Sequence, residues 1–192
     1  MSGPDKVTIR AFFALRLKDP IARQLASTAD SLGMYDKQLE VQWIDSDNYH
    51  LTLCFLGDVA LDKIDELEAS ARITLAEQSS LNIHLNQLDC YQANSLWTLI
   101  TANPGPGAGI NSLHQKMVDL VKRVGIDYSD GAFKPHITLG KLPRDNHFTP
   151  PAQWPSVDLF SLADAVILYQ SKLTERGSIY TPLATIELQD IA

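Results

Sequence analysis

Cysteine is scarce: Cys54 and Cys90 are the only two in 192 residues. That excludes a disulfide scaffold and a cysteine-rich zinc module. No run approaches the ~20 apolar residues that a membrane-spanning helix needs, and Met1 to Arg10 carries no apolar signal core. Positive charge is also short. Sixteen Lys and Arg stand against 23 Asp and Glu, a net charge of −7. This excludes a protein that coats nucleic acid or an anionic membrane through its overall charge, so any nucleic-acid substrate must be held at a local site. There is no Gly-x-Gly-x-x-Gly dinucleotide fingerprint. His84, His114 and His147 lack His-x-His or His-Glu-x-x-His zinc spacing. Asn103 to Gly109 has the look of a phosphate loop, but no Gly-Lys-Ser/Thr follows, so it reads as a connection into a helix. What remains is a soluble protein of a reducing compartment, expected to be cytoplasmic, with no membrane partner and no obligatory protein partner.

What is present is a mixture of strands and helices along the whole chain. Val7 to Leu17 alternates, with Val7, Ile9, Ala11, Phe13 and Leu15 forming one apolar face. Its other face carries Thr8, Arg10, Phe12, Ala14 and Arg16, a mixture of arginine and aromatic that suits a solvated or site-lining face. Asp19-Pro20 is a helix start, with Asp19 as N-cap and Pro20 at the first helical position. That helix is expected to run to about Ser31 and stop near Gly33. Residues 48–56 read as a strand, 60–78 as a helix, and 81–88 with 96–102 as a strand pair. A helix over 110–124 and a strand over 134–142 follow. Residues 143–156 are proline-rich and irregular, and strands over 164–170 and 178–188 end the chain. The hairpin-type joins favour α+β with antiparallel or mixed sheets over a doubly wound parallel sheet.

The informative feature is an internal echo. His50-Leu-Thr-Leu53 is matched by His136-Ile-Thr-Leu139, about half the chain away. With five His, 11 Thr and 26 Leu in the chain, such a pair arises by chance roughly 6 times in 10,000. On a strand, residues i and i+2 share a face, so His50 projects with Thr52 and His136 with Thr138. Leu51, Leu53 and Phe55 are expected on the core face, with Ile137 and Leu139. Two imidazoles near their ordinary pKa of about 6.5 can divide the work, one neutral and one protonated. The neutral one takes a proton from an attacking oxygen and the other gives one to a leaving oxygen. The two threonine hydroxyls can donate to the non-bridging oxygens of a phosphodiester. This chemistry requires no metal and no cofactor.

These residues resemble the 2H phosphoesterase superfamily, most closely the RNA 2′,3′-cyclic phosphodiesterases, also called 2′-5′ RNA ligases. The likeness extends to Arg10–Leu15, to Trp43 and Asn48–Gly57, to Phe133–Lys141, and to Leu168–Ser171 with Tyr180–Leu183. The resemblance implies a single bilobal, pseudo-symmetric α+β domain over 1–192. Two antiparallel or mixed sheets would line a central cleft, with helices outside and one His-x-Thr-Leu motif in each lobe. It implies metal-independent hydrolysis of an RNA 2′,3′-cyclic phosphate to a 2′-phosphate, His50 donating a proton and His136 accepting one. It also implies reversible, ATP-independent 2′-5′ ligation, with an RNA 5′-hydroxyl as the nucleophile. Thr52 and Thr138 would hold the phosphate. Lys141, Arg10 and Phe12 are further substrate-binding candidates, Arg10 as a phosphate contact and Phe12 as a base-stacking platform. Tyr180 also comes near the cleft in this reading, and Lys134 and Arg176 are candidates for RNA-backbone contact.

Two departures from the family pattern carry structural expectations. Relatives often continue Gly-Arg after the second motif where this chain has Gly140-Lys141, and lysine cannot grip phosphate bidentately. Strict alternation would also turn Lys141 toward the core, so a bulge or strand end at Gly140 must re-aim it. Cys54 stands where relatives often carry a charged residue, and alternation puts its thiol on the His50 face. Two other functions compete: a non-catalytic RNA-end or nucleotide-binding module, and a phosphodiesterase of the same type acting on another nucleotide diester.

Overall fold

The computed structural model describes residues 6–129 and 131–190. Residues 1–5, 130, 191 and 192, which the 1–192 domain and part of the Met1–Arg10 reading include, lie outside the described residues. Nine strands and three α-helices appear in the order β1 (Thr8–Leu15), α1 (Asp19–Gly33), β2 (Gln42–Trp43), β3 (Leu51–Ala60), α2 (Leu61–Thr74), β4 (Leu81–Gln92), β5 (Trp97–Pro104), α3 (Ala108–Arg123), β6 (Ile137–Pro143), β7 (Leu159–Ala163), β8 (Ala165–Thr174) and β9 (Gly177–Glu187). Among the described residues no helix is long and apolar enough to cross a membrane.

The strands form a sheet in the order β7-β4-β5-β6-β3-β1-β8-β9, with β2 added beside β6. The pairings between named strands are antiparallel. The order is symmetric about its middle. One lobe is β3-β1-β8-β9 and the other β6-β5-β4-β7, and the strand that carries each motif is innermost. Among the described residues, the sheets of the two lobes pair at Leu51 opposite Ile137. The two sheets expected from the sequence are therefore joined at this narrow seam. Only Asp164 separates β7 from β8, yet these strands lie toward opposite ends of the sheet order. One residue can bridge them only if the sheet curls on itself. Asp164 is held at that crossing by Arg16 at 2.9 Å and Lys18 at 3.0 Å.

The helices lace the lobes together. α1 follows β1 of the first lobe but packs over β6 and β7 of the second, whereas α3 follows β5 of the second and packs on β3 of the first and on α2. Ile21, Leu25, Ala29 and Leu32 recur at helical spacing and give α1 its buried face. Lys18, not Asp19, is the N-cap, and its side chain makes no cap hydrogen bond. The helix starts one residue earlier than the Asp-Pro signal suggests, and Asp19 acts from the first turn, where a carboxylate opposes the helix dipole.

β1 departs most from expectation. It lies between β3 and β8, and all of Ala11, Phe12, Phe13, Ala14 and Leu15 are buried. Its second face is covered by an aromatic cluster at Phe12 and is open to solvent only toward its start, at Thr8 and Arg10. β2 and β7 were not legible: two residues carry no period, and the five of β7 follow a proline-rich stretch that reads as irregular.

Candidate active site

The site is built on the seam. Continuing the Leu51–Ile137 register by one residue places His50 opposite Thr138 and Thr52 opposite His136. All four point to the face opposite the buried Leu51 and Ile137. In such a pair, directly opposed side chains start about 5 Å apart and diagonal ones roughly 7–8 Å apart. On that continued register the two imidazoles would take one diagonal and the two hydroxyls the other; of the four, His50 and Thr138 line a common cavity. A cavity of about 140 Å³ opens here, lined by His50 and Tyr180 of one lobe, Thr138 of the other, and Ile44 and Asn48. The Thr52 and Thr138 hydroxyls are not engaged by a hydrogen bond among the described residues, which leaves them available to a ligand.

Each imidazole is held in the same way. Nδ1 of His50 donates to the Asn48 carbonyl at 2.7 Å, and Nδ1 of His136 to the Lys134 carbonyl at 2.7 Å. A carbonyl can only accept, so Nδ1 carries the hydrogen and Nε2 is left as the exchanging nitrogen. The surroundings differ. His50 is packed by Phe12 at 5.0 Å, Tyr180 at 5.0 Å and Tyr169 at 6.3 Å between ring centroids. His136 has Tyr91 at 5.5 Å, and Lys134 reaches over that tyrosine at 5.4 Å. Burial holds His50 below the ordinary imidazole range; the Asn48 carbonyl opposes this and the charge of His136 adds to it.

This shift has a sign that calorimetry can read. The folded protein holds the His50 proton less tightly than the unfolded chain, so below about pH 6.5 the unfolded state binds more protons. Stability tied to neutral His50 is present above that pH and is lost as pH falls through the folded value. The melting temperature is expected to drop on acidification below about pH 6.5, and to drop less steeply in His50→Gln. Equal slopes in the two proteins would count against burial as the cause.

Bulges decide what else faces the cleft. Opposite β1, Ala14 pairs with Thr52 and Phe13 with Cys54, so Leu53 is an extra residue. Opposite β5, Thr101 pairs with Thr138 and Ile100 with Gly140, so Leu139 is the extra residue. Each bulge follows its threonine and reverses the alternation beyond it. The re-aiming expected for Lys141 occurs, and its counterpart in the first motif is Phe55. Phe55 is therefore 46% exposed on the cleft side, and Cys54, 1% exposed, is in the core. This corrects both expectations from strict alternation: the thiol is not beside His50, and Phe55 is not a core residue.

The remaining candidates are more dispersed. Phe12 is only 2% exposed, because His50, Tyr169, Tyr180 and Phe55 cover its ring. It is a prop under His50 and not an open stacking platform. Arg10 lies further along β1, opposite Asp58 and Ser171, with its guanidinium 5.2 Å from the Phe55 ring centre. Arg10 lines neither the cavity nor the adjoining groove. Lys141 lines that groove, about 440 Å³, with Trp43, Asn48, Arg176 and Tyr180, and its Nζ sits 3.9 Å from the Trp97 ring centre. Asn48 was not singled out from sequence as a site residue. Its carbonyl orients His50, and its side-chain amide donates to the Ser178 carbonyl at 3.2 Å, tying the β8–β9 hairpin to the site.

Gly140 permits the close approach of the segment 41–43 to β6. A Cβ there would meet Val41 Cγ1 at 2.7 Å and Trp43 Cε3 at 3.1 Å. Val41 Cγ1 belongs to a stiff branched side chain. Gly140→Ala is expected to cost about 1–3 kcal/mol, as overpacking does, and to lower the melting temperature measured by thermal unfolding. An unchanged melting temperature would show that β2 yields without cost.

Comparison with known proteins follows the same lines. The model of the 2′-5′ RNA ligase superfamily matches residues 17–163, which hold both motifs. The RNA 2′,3′-cyclic phosphodiesterase of Methanothermobacter thermautotrophicus is 27% identical over 190 residues, covering 94% of this chain and 99% of that protein. The protein of the same name from Thermotoga maritima is 24% identical over 185 residues, covering 91% and 93%. The crystal structure of E. coli LigT in apo form matches with a TM-score of 0.76 at 26% identity, covering 95% of this chain and 98% of that one. TT0787 of Thermus thermophilus matches with a TM-score of 0.81 at 21% identity, covering 95% and 99%, a likeness of fold. A family match that spans both motifs, on a chain whose repeated tetrapeptides meet across one seam, has one reading: the chain belongs to the 2′-5′ RNA ligase superfamily.

Proposed function

We propose that this protein hydrolyses the 2′,3′-cyclic phosphate at an RNA end to a 2′-phosphate, with His50 and His136 as acid and base. The observation that supports the reading is the Leu51–Ile137 pairing, which joins the two motif strands one residue from His50, Thr52, His136 and Thr138. The names of the relatives support the substrate class.

In the forward step Nε2 of His136 takes a proton from water as the water oxygen bonds to phosphorus. The P–O3′ bond breaks, and Nε2 of His50 gives its proton to O3′. One proton is gained at His136 and one lost at His50, and exchange with solvent restores both. Thr52 and Thr138 donate to the non-bridging oxygens, where negative charge is concentrated in the transition state. His50 is held low by burial in the free protein. A phosphodiester anion beside it favours the protonated form, so the substrate itself helps to charge the acid. The strained ring supplies the driving force for opening. With an RNA 5′-hydroxyl in place of water, the same ring opening forms a 2′-5′ linkage without ATP: His136 takes the hydroxyl proton as O5′ bonds to phosphorus, the P–O3′ bond breaks, and His50 protonates O3′.

The same proposal takes the two lobes as one catalytic unit, since each supplies one histidine, and places the protein in the cytoplasm, in keeping with its scarce cysteine. The experiment is hydrolysis of an oligoribonucleotide ending in a 2′,3′-cyclic phosphate, in excess EDTA, with the product identified. Turnover to a 2′-phosphate is expected. A 3′-phosphate product, abolition by EDTA, or binding without turnover would each overturn the reading.

A further inference from the structure

We infer that His114 is a positioning residue that holds both motif strands in their reacting arrangement. The inference rests on the reading of His50 and His136 as acid and base. His114 is not part of either motif. It lies on α3, the helix that leaves the second lobe and packs on β3 of the first.

Its ring makes two contacts, one to each motif segment. Nδ1 donates to the Leu53 carbonyl at 2.5 Å. Leu53 is the extra residue of the β3 bulge, immediately after Thr52. A bulged residue loses its regular ladder partner, and among the described residues β6 pairs with β3 at Leu51 and not at Leu53. His114 supplies the carbonyl with a donor from outside the sheet. The face of the same ring stacks on Phe133, with centroids 3.8 Å apart and planes within 3°. Phe133 belongs to the segment that leads through Lys134 and Pro135 into His136. One ring thus fixes the turn that aims Thr52 and Phe55 and the approach that delivers His136.

The consequence follows from the geometry of the seam. The four reacting side chains are placed by backbone register, and an error of about 1 Å in such an arrangement can cost 10²-fold in rate. Without the donor, the bulge can relax and carry Thr52 with it. Without the stack, the His136 segment loses its rest. His114 does not line the cavity, so it acts through Thr52 and His136 and not on the substrate.

Two variants separate the contacts. His114→Phe keeps a flat ring over Phe133 and loses the donor, whereas His114→Gln keeps a donor and loses the stack. Val118→Ala, at a buried position of the same helix, serves as a control for lost stability. His114→Phe is expected to lower kcat by about 10–100-fold with KM changed little. His114→Gln, which keeps the donor, loses less than His114→Phe but stays below wild type because the stack is gone, and Val118→Ala keeps kcat near wild type. Nuclear magnetic resonance gives a second readout that needs no turnover. The Thr52, Cys54 and Phe55 amides shift in His114→Phe, the His136 ring resonances shift in His114→Gln, and neither set shifts in Val118→Ala. A His114→Phe kcat within about twofold of wild type, or an equal loss in Val118→Ala, overturns the inference. Should His114→Phe not fold, unmoved His136 ring resonances in His114→Gln do the same. If wild type shows no hydrolysis, the proposed activity fails, and the resonance shifts still decide the role of His114.

Discussion

His50→Ala and His136→Ala are each expected to lower the hydrolysis of an RNA 2′,3′-cyclic phosphate by about 10²–10⁴-fold, the usual worth of one positioned proton transfer. The loss belongs in kcat, because an alanine removes a proton donor or acceptor and leaves the threonine hydroxyls that bind phosphate. The double variant is expected to lose much less than the product of the two single losses, since residues that act as a unit are strongly non-additive. Neither substitution touches the Leu51–Ile137 pair that joins the lobes, so both variants should melt cooperatively. Steady-state kinetics on a cyclic-phosphate oligonucleotide gives the rates, and circular dichroism checks the fold. Full activity in either folded variant would remove that histidine from the mechanism.

The second large effect is expected at the hydroxyls. Thr52→Val and Thr138→Val keep a branched strand-forming side chain and lose only the donor. Removing one donor aimed at developing charge costs about 10²–10³-fold in kcat. Affinity for a 2′-phosphate product should fall less than kcat, because the donors matter most where charge accumulates. An equal fall in both would mean that the hydroxyls merely bind. An unchanged rate in Thr138→Val would be the harder result to reconcile, since Thr138 lines the same small cavity as His50.

The chemistry of this site was legible because it is written twice. The echo of His50-Leu-Thr-Leu53 in His136-Ile-Thr-Leu139 survives any shift in element boundaries, and period-two alternation pairs each histidine with its threonine. Alternation then failed two residues later, for a local reason. A bulge adds one residue without changing composition, so it leaves no hydrophobic signature. It was anticipated at Gly140 because a lysine pointing into the core is costly. The same device at Leu53 went unread because Phe55 is content in a core and raises no such conflict. The repeat itself held the missing clue: a bulge required after the second motif argues for one after the first, which aims Phe55 outward and Cys54 inward.

Position along the strand misled in another way. Phe12 shares a strand with Arg10, and a lone strand cannot tell a lined face from a buried one. Only the arrival of Tyr169 and Tyr180 from β8 and β9 closes that face over His50. Likewise His114 has no partner within helical or strand spacing. Its partners, Leu53 and Phe133, come from distant segments that only the tertiary fold brings to it.

Whether one phosphate fits between the two rings can be seen directly, in a crystal structure of the protein with a 2′-phosphorylated nucleotide. The account requires the phosphate to lie at the seam, with Nε2 of His50 and Nε2 of His136 on opposite sides of it, each within hydrogen-bond reach of about 3 Å. A phosphate seated instead against the glycine-rich turn beside Asn86 and Gly105, or touching only one of the two imidazoles, would contradict it.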